Sequence, residues 1–99
     1  MRNIKESRIQ SLILKDLRSL GKYCECFKVE SPSDNGVPDI FFTTKETGAV
    51  FVEVKRPSGV LSKFQKEKLE KLNSCGTKAF ACYSWEGWAL LKSSLGLSK

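Results

Sequence analysis

The 99-residue sequence contains no histidine, and this absence excludes several classes of enzyme at once. Without an imidazole, the chain cannot be a Ser-His-Asp hydrolase, a Cys-His protease or a nuclease whose general base is histidine. Zinc enzymes that bind their metal through histidine are excluded for the same reason.

Cysteine is present, but not in a spacing that binds metal. The four cysteines are Cys24, Cys26, Cys75 and Cys82, and they form no CxxC pair, so we expect no zinc site. The N-terminal stretch MRNIKESRIQ lacks the apolar core of a signal peptide, and no apolar run is long enough to span a membrane. We therefore expect an intracellular protein, with no membrane partner, whose cysteines are reduced, small buried hydrophobic residues.

Positive charge is in excess, with 17 Lys and Arg against 11 Asp and Glu, a formal net charge of +6. Residues 55–78 hold seven of the basic residues but only two of the acidic ones, so this segment carries most of the excess. A basic chain favours a polyanionic partner, such as a nucleic acid.

The pattern of apolar residues predicts seven elements in the order α-β-β-β-α-β-α. They are expected at residues 6–20, 23–29, 39–44, 49–55, 62–73, 78–83 and 85–95. A hairpin of strands followed by a helical crossover into another strand is typical of a mixed β-sheet flanked by helices. The sequence thus predicts an α/β fold in one domain that spans residues 1–99.

The strand AVFVEVK departs from a simple apolar pattern at its end. Alternation places Glu53 and Lys55 on the face opposite Val50, Val52 and Val54. If Thr43 pairs with Ala49 across the KETG turn, Asp39 falls opposite Glu53, so two carboxylates and an amine converge at one end of the hairpin. The alternative is a surface strand end with an ordinary Glu/Lys pair and a turn Asp that follows Pro38.

Two carboxylates that lie close together repel each other, and a divalent cation relieves this repulsion. Asp39 and Glu53, together with the backbone carbonyl of Val54, are oxygen ligands suited to Mg²⁺, with Mn²⁺ as the second choice. Lys55 projects from the same face and can orient or help deprotonate a metal-bound water. No organic cofactor is expected.

Two further polar residues lie on faces that pack toward the sheet. Gln65 falls within the apolar stripe of the second helix, where it either reaches the site or completes a capping box with Ser62. Glu6 shares a face with Ile9 and Ile13, and it is either a further ligand, directly or through water, or an acid that complements the helix dipole.

Three basic residues follow the hairpin and are expected to bind DNA phosphates. They are Arg56, which follows the charged strand end, and Lys63 and Lys66 in the first turn of the second helix, where free backbone N–H groups also favour an anion. The alternative is that they form a solvated helix face.

Three motifs occur in order along the chain: GVPDIFF at residues 36–42, FVEVK at 51–55 and LSKFQKEKL at 61–69. In this combination, with Glu6 in a leading helix, the sequence resembles the PD-(D/E)XK nuclease superfamily and within it the VRR-NUC family. The resemblance implies a restriction-endonuclease-like fold and assigns Asp39 and Glu53 as metal ligands and Lys55 as the catalytic lysine. It also assigns Gln65 to the active site and Glu6 as the acid of the leading helix.

The resemblance further implies a stand-alone, phage-type homodimer that would act in the cytoplasm of a bacterial host and cleave branched DNA such as Holliday junctions. A single site cannot cut two strands symmetrically unless two copies meet. Candidate interface residues are Tyr83, Trp85 and Trp88, although a core position is favoured for at least one tryptophan. Two alternatives remain: a non-catalytic module that binds nucleic acid, and a nicking or restriction-type nuclease that acts on ordinary duplex.

Overall fold

The structure is a computed structural model that describes residues 4–31 and 34–97. Its helices and strands follow the predicted order, with one 3₁₀ turn added at Gly21–Tyr23. They are α1 (Glu6–Arg18), β1 (Cys24–Lys28), β2 (Ile40–Thr44), β3 (Gly48–Val54), α2 (Lys63–Ser74), β4 (Lys78–Cys82) and α3 (Trp85–Ser94).

The four strands form one mixed sheet in the order β1-β2-β3-β4. The first three strands are antiparallel, and the predicted register of Thr43 opposite Ala49 is confirmed. Strand β4 runs parallel to β3, and α2 makes the crossover between them. The α/β fold with a mixed sheet and flanking helices is therefore confirmed.

The hydrophobic core lies between one face of the sheet and helices α1 and α3. Val50, Val52 and Val54 are fully buried there, as the alternation in β3 predicts, and α1 contributes Ile9 and Ile13. Helix α1 has no side-chain N-cap, so packing must hold it in place. Each fully buried Ile or Leu contributes about 2 kcal/mol, more than the ~1 kcal/mol of a good cap.

Helix α3 is fixed to this core by Trp88, which is fully buried. Its ring meets Phe42 edge-on at 5.8 Å between centroids, and its indole N–H donates to Asp16 Oδ2 at 2.7 Å. The same carboxylate pairs with Lys92 Nζ at 2.8 Å. This contact explains why an acidic residue lies within the apolar stripe of α1.

Several element ends differ from the predicted ones by one or two residues. Leu20 lies beyond α1, because the helix stops at Arg18 and Gly21 adopts a φ of +86°. Tyr23 belongs to the 3₁₀ turn, and β1 begins one residue later. Asp39 and Lys55 lie just outside the ends of β2 and β3, which places both side chains at the rim of the sheet.

Candidate active site

Asp39 lies at the end of the β2–β3 hairpin and is held by the backbone of β3. Its Oδ2 accepts a hydrogen bond of 2.8 Å from the amide of Val54. The main-chain pairing of β2 with β3 ends at Ile40 and Val52. Beyond that pair, the Asp39 carboxylate accepts the hydrogen bond that a main-chain carbonyl of β2 would otherwise accept from Val54. A residue in an antiparallel pair directs its N–H and C=O to the same neighbour, so the Val54 carbonyl also lies on the Asp39 side of β3.

Glu53 is a buried carboxyl, with only 2% of its surface exposed. Burial, and then the neighbouring Asp39 carboxylate, raise the pKa of Glu53 to about 8. The charge of Glu6 raises that pKa further, while Lys55 opposes the rise. The two acids therefore converge at this end of the hairpin, with Lys55 and Glu6 close enough to act on Glu53 electrostatically.

One oxygen of Glu53 has a partner and the other does not. Oε2 accepts a hydrogen bond of 3.2 Å from Gln65 Nε2, whereas Oε1 is buried and has no hydrogen-bond partner among the described residues. A buried carboxylate oxygen without a partner costs about 1–3 kcal/mol. It is an available ligand for a cation.

Gln65 performs both of the roles that the sequence left open. Its Oε1 accepts from the Ser62 amide at 2.8 Å, and its own amide donates to Ser62 Oγ at 3.1 Å, which completes a capping box. The remaining side-chain nitrogen is then directed at Glu53. The cap that begins α2 therefore also fixes the orientation of Gln65 in the site.

Lys55 is half-buried and follows β3 directly. Its amide donates to the Cys82 carbonyl at 2.8 Å, which fixes the backbone at this point. The next residues form a turn in which the Gly59 amide donates a hydrogen bond to the Arg56 carbonyl. This turn packs back against Lys55. A Cβ added at Gly59 would lie 3.1 Å from Lys55 Cβ, so this glycine allows the turn to pack against the stem of the lysine.

Gly36 is a site residue that the sequence motifs did not single out as functional. It has a φ of +80°, and a Cβ built there would overlap the Phe64 carbonyl oxygen and lie 2.6 Å from its carbon. The loop that leads to Asp39 therefore packs directly on the first turn of α2, beside Gln65. The signal available in the sequence was an Asn-Gly pair three residues before Asp39.

The remaining predicted site residues are Glu6 and three basic residues. No group of three His, Cys, Asp or Glu side chains suited to a metal ion forms within residues 4–31 and 34–97. Asp39 and Glu53 therefore form a two-carboxylate site, and Glu6 is a more distant charge. Arg56, Lys63 and Lys66 are all exposed, in the turn after β3 and the first turn of α2.

The aromatic residues considered for an interface are not equally available. Trp88 is fully buried, so its assignment to an interface was wrong and the favoured core position is confirmed. Trp85 is half-buried against the same core. Tyr83 is exposed, at 38% of its surface.

Among the described residues, no helix is both long and apolar enough to cross a membrane. A comparison with curated proteins gives no match.

The VRR-NUC domain family model matches residues 4–86 of this chain. Two solved structures have a similar fold. A VRR_NUC domain that is 22% identical superposes with a TM-score of 0.75 and covers 88% of this chain and 94% of its own. A VRR_NUC domain protein that is 15% identical gives a TM-score of 0.74 and covers 100% of this chain and 94% of its own.

Proposed function

Because this chain belongs to the VRR-NUC domain family, which implies a nuclease-type function, we propose that it is a Mg²⁺-dependent endonuclease that hydrolyses phosphodiester bonds in DNA. Its preferred substrate in this proposal is branched DNA such as a four-way junction. The observation that carries the metal dependence is the carboxylate pair of half-buried Asp39 and buried Glu53.

The donor atoms of the site suit a hard divalent cation. Glu53 Oε1 is buried without a partner among the described residues, and the neighbouring Asp39 raises the cost of charging Glu53. An oxygen-binding cation such as Mg²⁺ would give Glu53 Oε1 a partner and would reduce the repulsion between the two carboxylates. Mn²⁺ accepts the same ligands.

Asp39 and Glu53, with the carbonyl of Val54, would hold the ion. When bound, the cation supplies Lewis-acid stabilisation of charge on the phosphate and lowers the pKa of the attacking water. In a chain with no histidine, this is the available route to a nucleophile at neutral pH.

The remaining residues position the reactants. Lys55 orients the water with its ammonium group and stabilises negative charge that develops on the phosphate oxygens. Gln65 holds Glu53 in one orientation through its hydrogen bond of 3.2 Å. Water attacks the phosphorus and the bond to the 3′ oxygen breaks, which leaves a 5′-phosphate and a 3′-hydroxyl.

Charge supports binding of the DNA backbone beside the site. Arg56, Lys63 and Lys66 are exposed close to Lys55 and Gln65 in the chain, and each can contact a phosphate. Symmetric cleavage of a junction requires two active sites, so the proposed active form is a homodimer related by a two-fold axis.

The test is cleavage of a four-way junction and of its linear duplex arms at one fixed salt concentration, with Mg²⁺ or with EDTA. We expect cleavage of the junction in Mg²⁺, and none in EDTA or with Asp39→Ala. Equal cleavage of the junction and the arms would support a nicking or restriction-type enzyme instead. Binding that is indifferent to EDTA, without cleavage in any metal, would support a non-catalytic module.

A further inference from the structure

Three phenylalanine side chains form a row across the sheet, here called the aromatic row: Phe27 on β1, Phe41 on β2 and Phe51 on β3. They are direct cross-strand partners, since Phe27 pairs with Phe41 and Phe41 with Phe51. Their ring centroids lie 5.1 and 5.3 Å apart. The row is thus a continuous aromatic surface.

The aromatic row lies on the same face of the sheet as the carboxylate pair. Phe51 and Glu53 are two residues apart on β3, so their side chains point the same way, with Cα atoms about 6.7 Å apart. Helix α2 is also on this face, because Gln65 reaches Glu53 from it. The row, the acids and the basic first turn of α2 therefore border one another.

Helix α2 covers only part of this face. It packs on β4, where the residues beside Phe51 and Glu53 are the small Ala79 and Ala81. At the other edge of the sheet, 48% of the Phe27 surface is exposed. The large side chains thus lie on the open half of the face, and the small ones lie under the helix.

Stabilisation of the sheet does not by itself account for this arrangement. A cross-strand aromatic pair contributes about 0.2–1 kcal/mol, which a β-branched pair can largely match. An exposed phenylalanine beside a phosphodiester site has a second use, because aromatic side chains stack on nucleobases without regard to sequence.

We infer that the aromatic row binds unpaired nucleobases next to the phosphate that is cleaved. This inference rests on the proposed function, and it defines the substrate class as DNA whose bases are unstacked at the cleavage site, as at a branch point, flap or gap. Three strands about 4.8 Å apart give a row roughly 10 Å wide, enough for one or two bases. The distance from Phe51 to Glu53, about 6.7 Å between Cα atoms, is about the length of one nucleotide.

The occupant is a nucleic acid rather than a second protein because of what surrounds the row. The carboxylate pair borders it at one end of β3, and the basic residues Lys63 and Lys66 begin the helix that shares this face. A strand whose phosphates follow the basic turn can place its bases on the rings.

The experiment measures DNA binding in EDTA, so that it does not depend on cleavage. The probes are a forked DNA with 2-aminopurine, a fluorescent adenine analogue, in its unpaired arm and a fully paired duplex of the same length. Wild type is compared with Phe27→Ala, Phe27→Leu and Phe27→Tyr. Leu90→Ala is the matched control, because Leu90 is also a large exposed apolar residue but lies on α3, which packs on the other face.

We expect wild type and Phe27→Tyr to quench the 2-aminopurine fluorescence and to bind the fork equally well. Phe27→Ala and Phe27→Leu should lose the quenching and bind the fork about 5- to 100-fold more weakly, with duplex affinity unchanged. Leu90→Ala should behave as wild type, and thermal melting checks that every variant folds.

Equal affinity of wild type and Phe27→Leu for the fork would overturn the inference, because apolar area alone would then explain binding. A shift of Phe27→Ala from dimer to monomer in sedimentation, with fork quenching unchanged, would also overturn it and make the row a protein interface. If the fork is bound as expected but no metal supports cleavage, the proposed function fails and the base-binding surface stands.

Discussion

Gln65 links the start of α2 to Glu53, donating to its carboxylate at 3.2 Å while accepting from the Ser62 amide at 2.8 Å. A residue required only for the cap would not need its side-chain nitrogen at a buried carboxyl. The two contacts make the position of α2 and the orientation of Glu53 depend on each other.

The two roles of Gln65 can be separated by mutation. Ser62→Ala removes the hydroxyl that caps α2 and leaves the contact with Glu53, so it should lower the free energy of unfolding by about 1 kcal/mol with little change in cleavage rate. Gln65→Ala removes the side-chain half of the capping box and the contact with Glu53, and it should also slow cleavage by at least about tenfold, the equivalent of a hydrogen bond worth about 1.4 kcal/mol. Urea denaturation and single-turnover cleavage measure the two effects. If both variants lose stability and neither loses rate, Gln65 is only a capping residue.

Loss of either acid or of the lysine should abolish cleavage without unfolding the protein. We expect Asp39→Ala, Glu53→Gln and Lys55→Ala to reduce the single-turnover rate by more than about 100-fold, with DNA affinity in EDTA largely unchanged. Glu46→Gln is the matched control, because Glu46 is an exposed acid in the turn at the opposite end of the hairpin. Cleavage by Asp39→Ala at the wild-type rate would contradict the assignment.

Stability in EDTA should depend on pH through Glu53. Burial, reinforced by Asp39, raises the pKa of this carboxyl from 4.5 to about 8, so between these values the folded state holds a proton that the unfolded chain has released. The free energy of unfolding should therefore fall as the pH rises from about 4.5 to 8, with a contribution of up to ~1.4 kcal/mol per pH unit from this one proton.

Glu53→Gln cannot release that proton, so its urea denaturation curves should lack this contribution and the variant should exceed wild type in stability at pH 8. Mg²⁺ added at that pH should stabilise wild type and leave the variant unchanged. Parallel stability profiles for the two proteins across this range would show that Glu53 does not titrate as expected.

The close approach at Gly36 should matter beyond its backbone conformation. Gly36→Ala adds the cost of a side chain at a positive φ and also an overlap with Phe64 in α2. Gly76→Ala is the control, because residue 76 has a φ of +91° but a Cβ there meets nothing within 4 Å. The control should lose about 1 kcal/mol of stability. Gly36→Ala should lose more and should also slow cleavage, because the loop that carries Asp39 must move away from Gln65. Thermal melting and single-turnover rates of the pair check this, and equal losses in both variants would contradict it.

Local patterning was enough to predict the geometry of the hairpin. The alternation in β3 and the KETG turn together fix the register of Thr43 and Ala49, and that register places Asp39 beside Glu53. Both are short-range properties of a contiguous segment, which is why the element order and the convergence of the two acids were predictable.

Contacts between elements distant in sequence were not predictable in the same way. The approach of Gly36 to α2 depends on how the crossover helix lies on the sheet. The burial of Trp88 depends on an acceptor 72 residues away, Asp16. Phe27 is exposed because α2 packs on β4, at the other edge of the sheet from β1. The proposed roles of the site residues stay predictions until cleavage is measured.

The proximity of the site residues along the chain has a consequence for folding. Asp39, Glu53 and Gln65 come from one hairpin and the helix that follows it, so bringing them together closes only short loops, which lose less entropy than long ones. These segments can therefore assemble without waiting for the C-terminal helix to dock. Substitutions in α3 should shift the global unfolding midpoint, while the geometry of the catalytic groups persists in every molecule that is still folded.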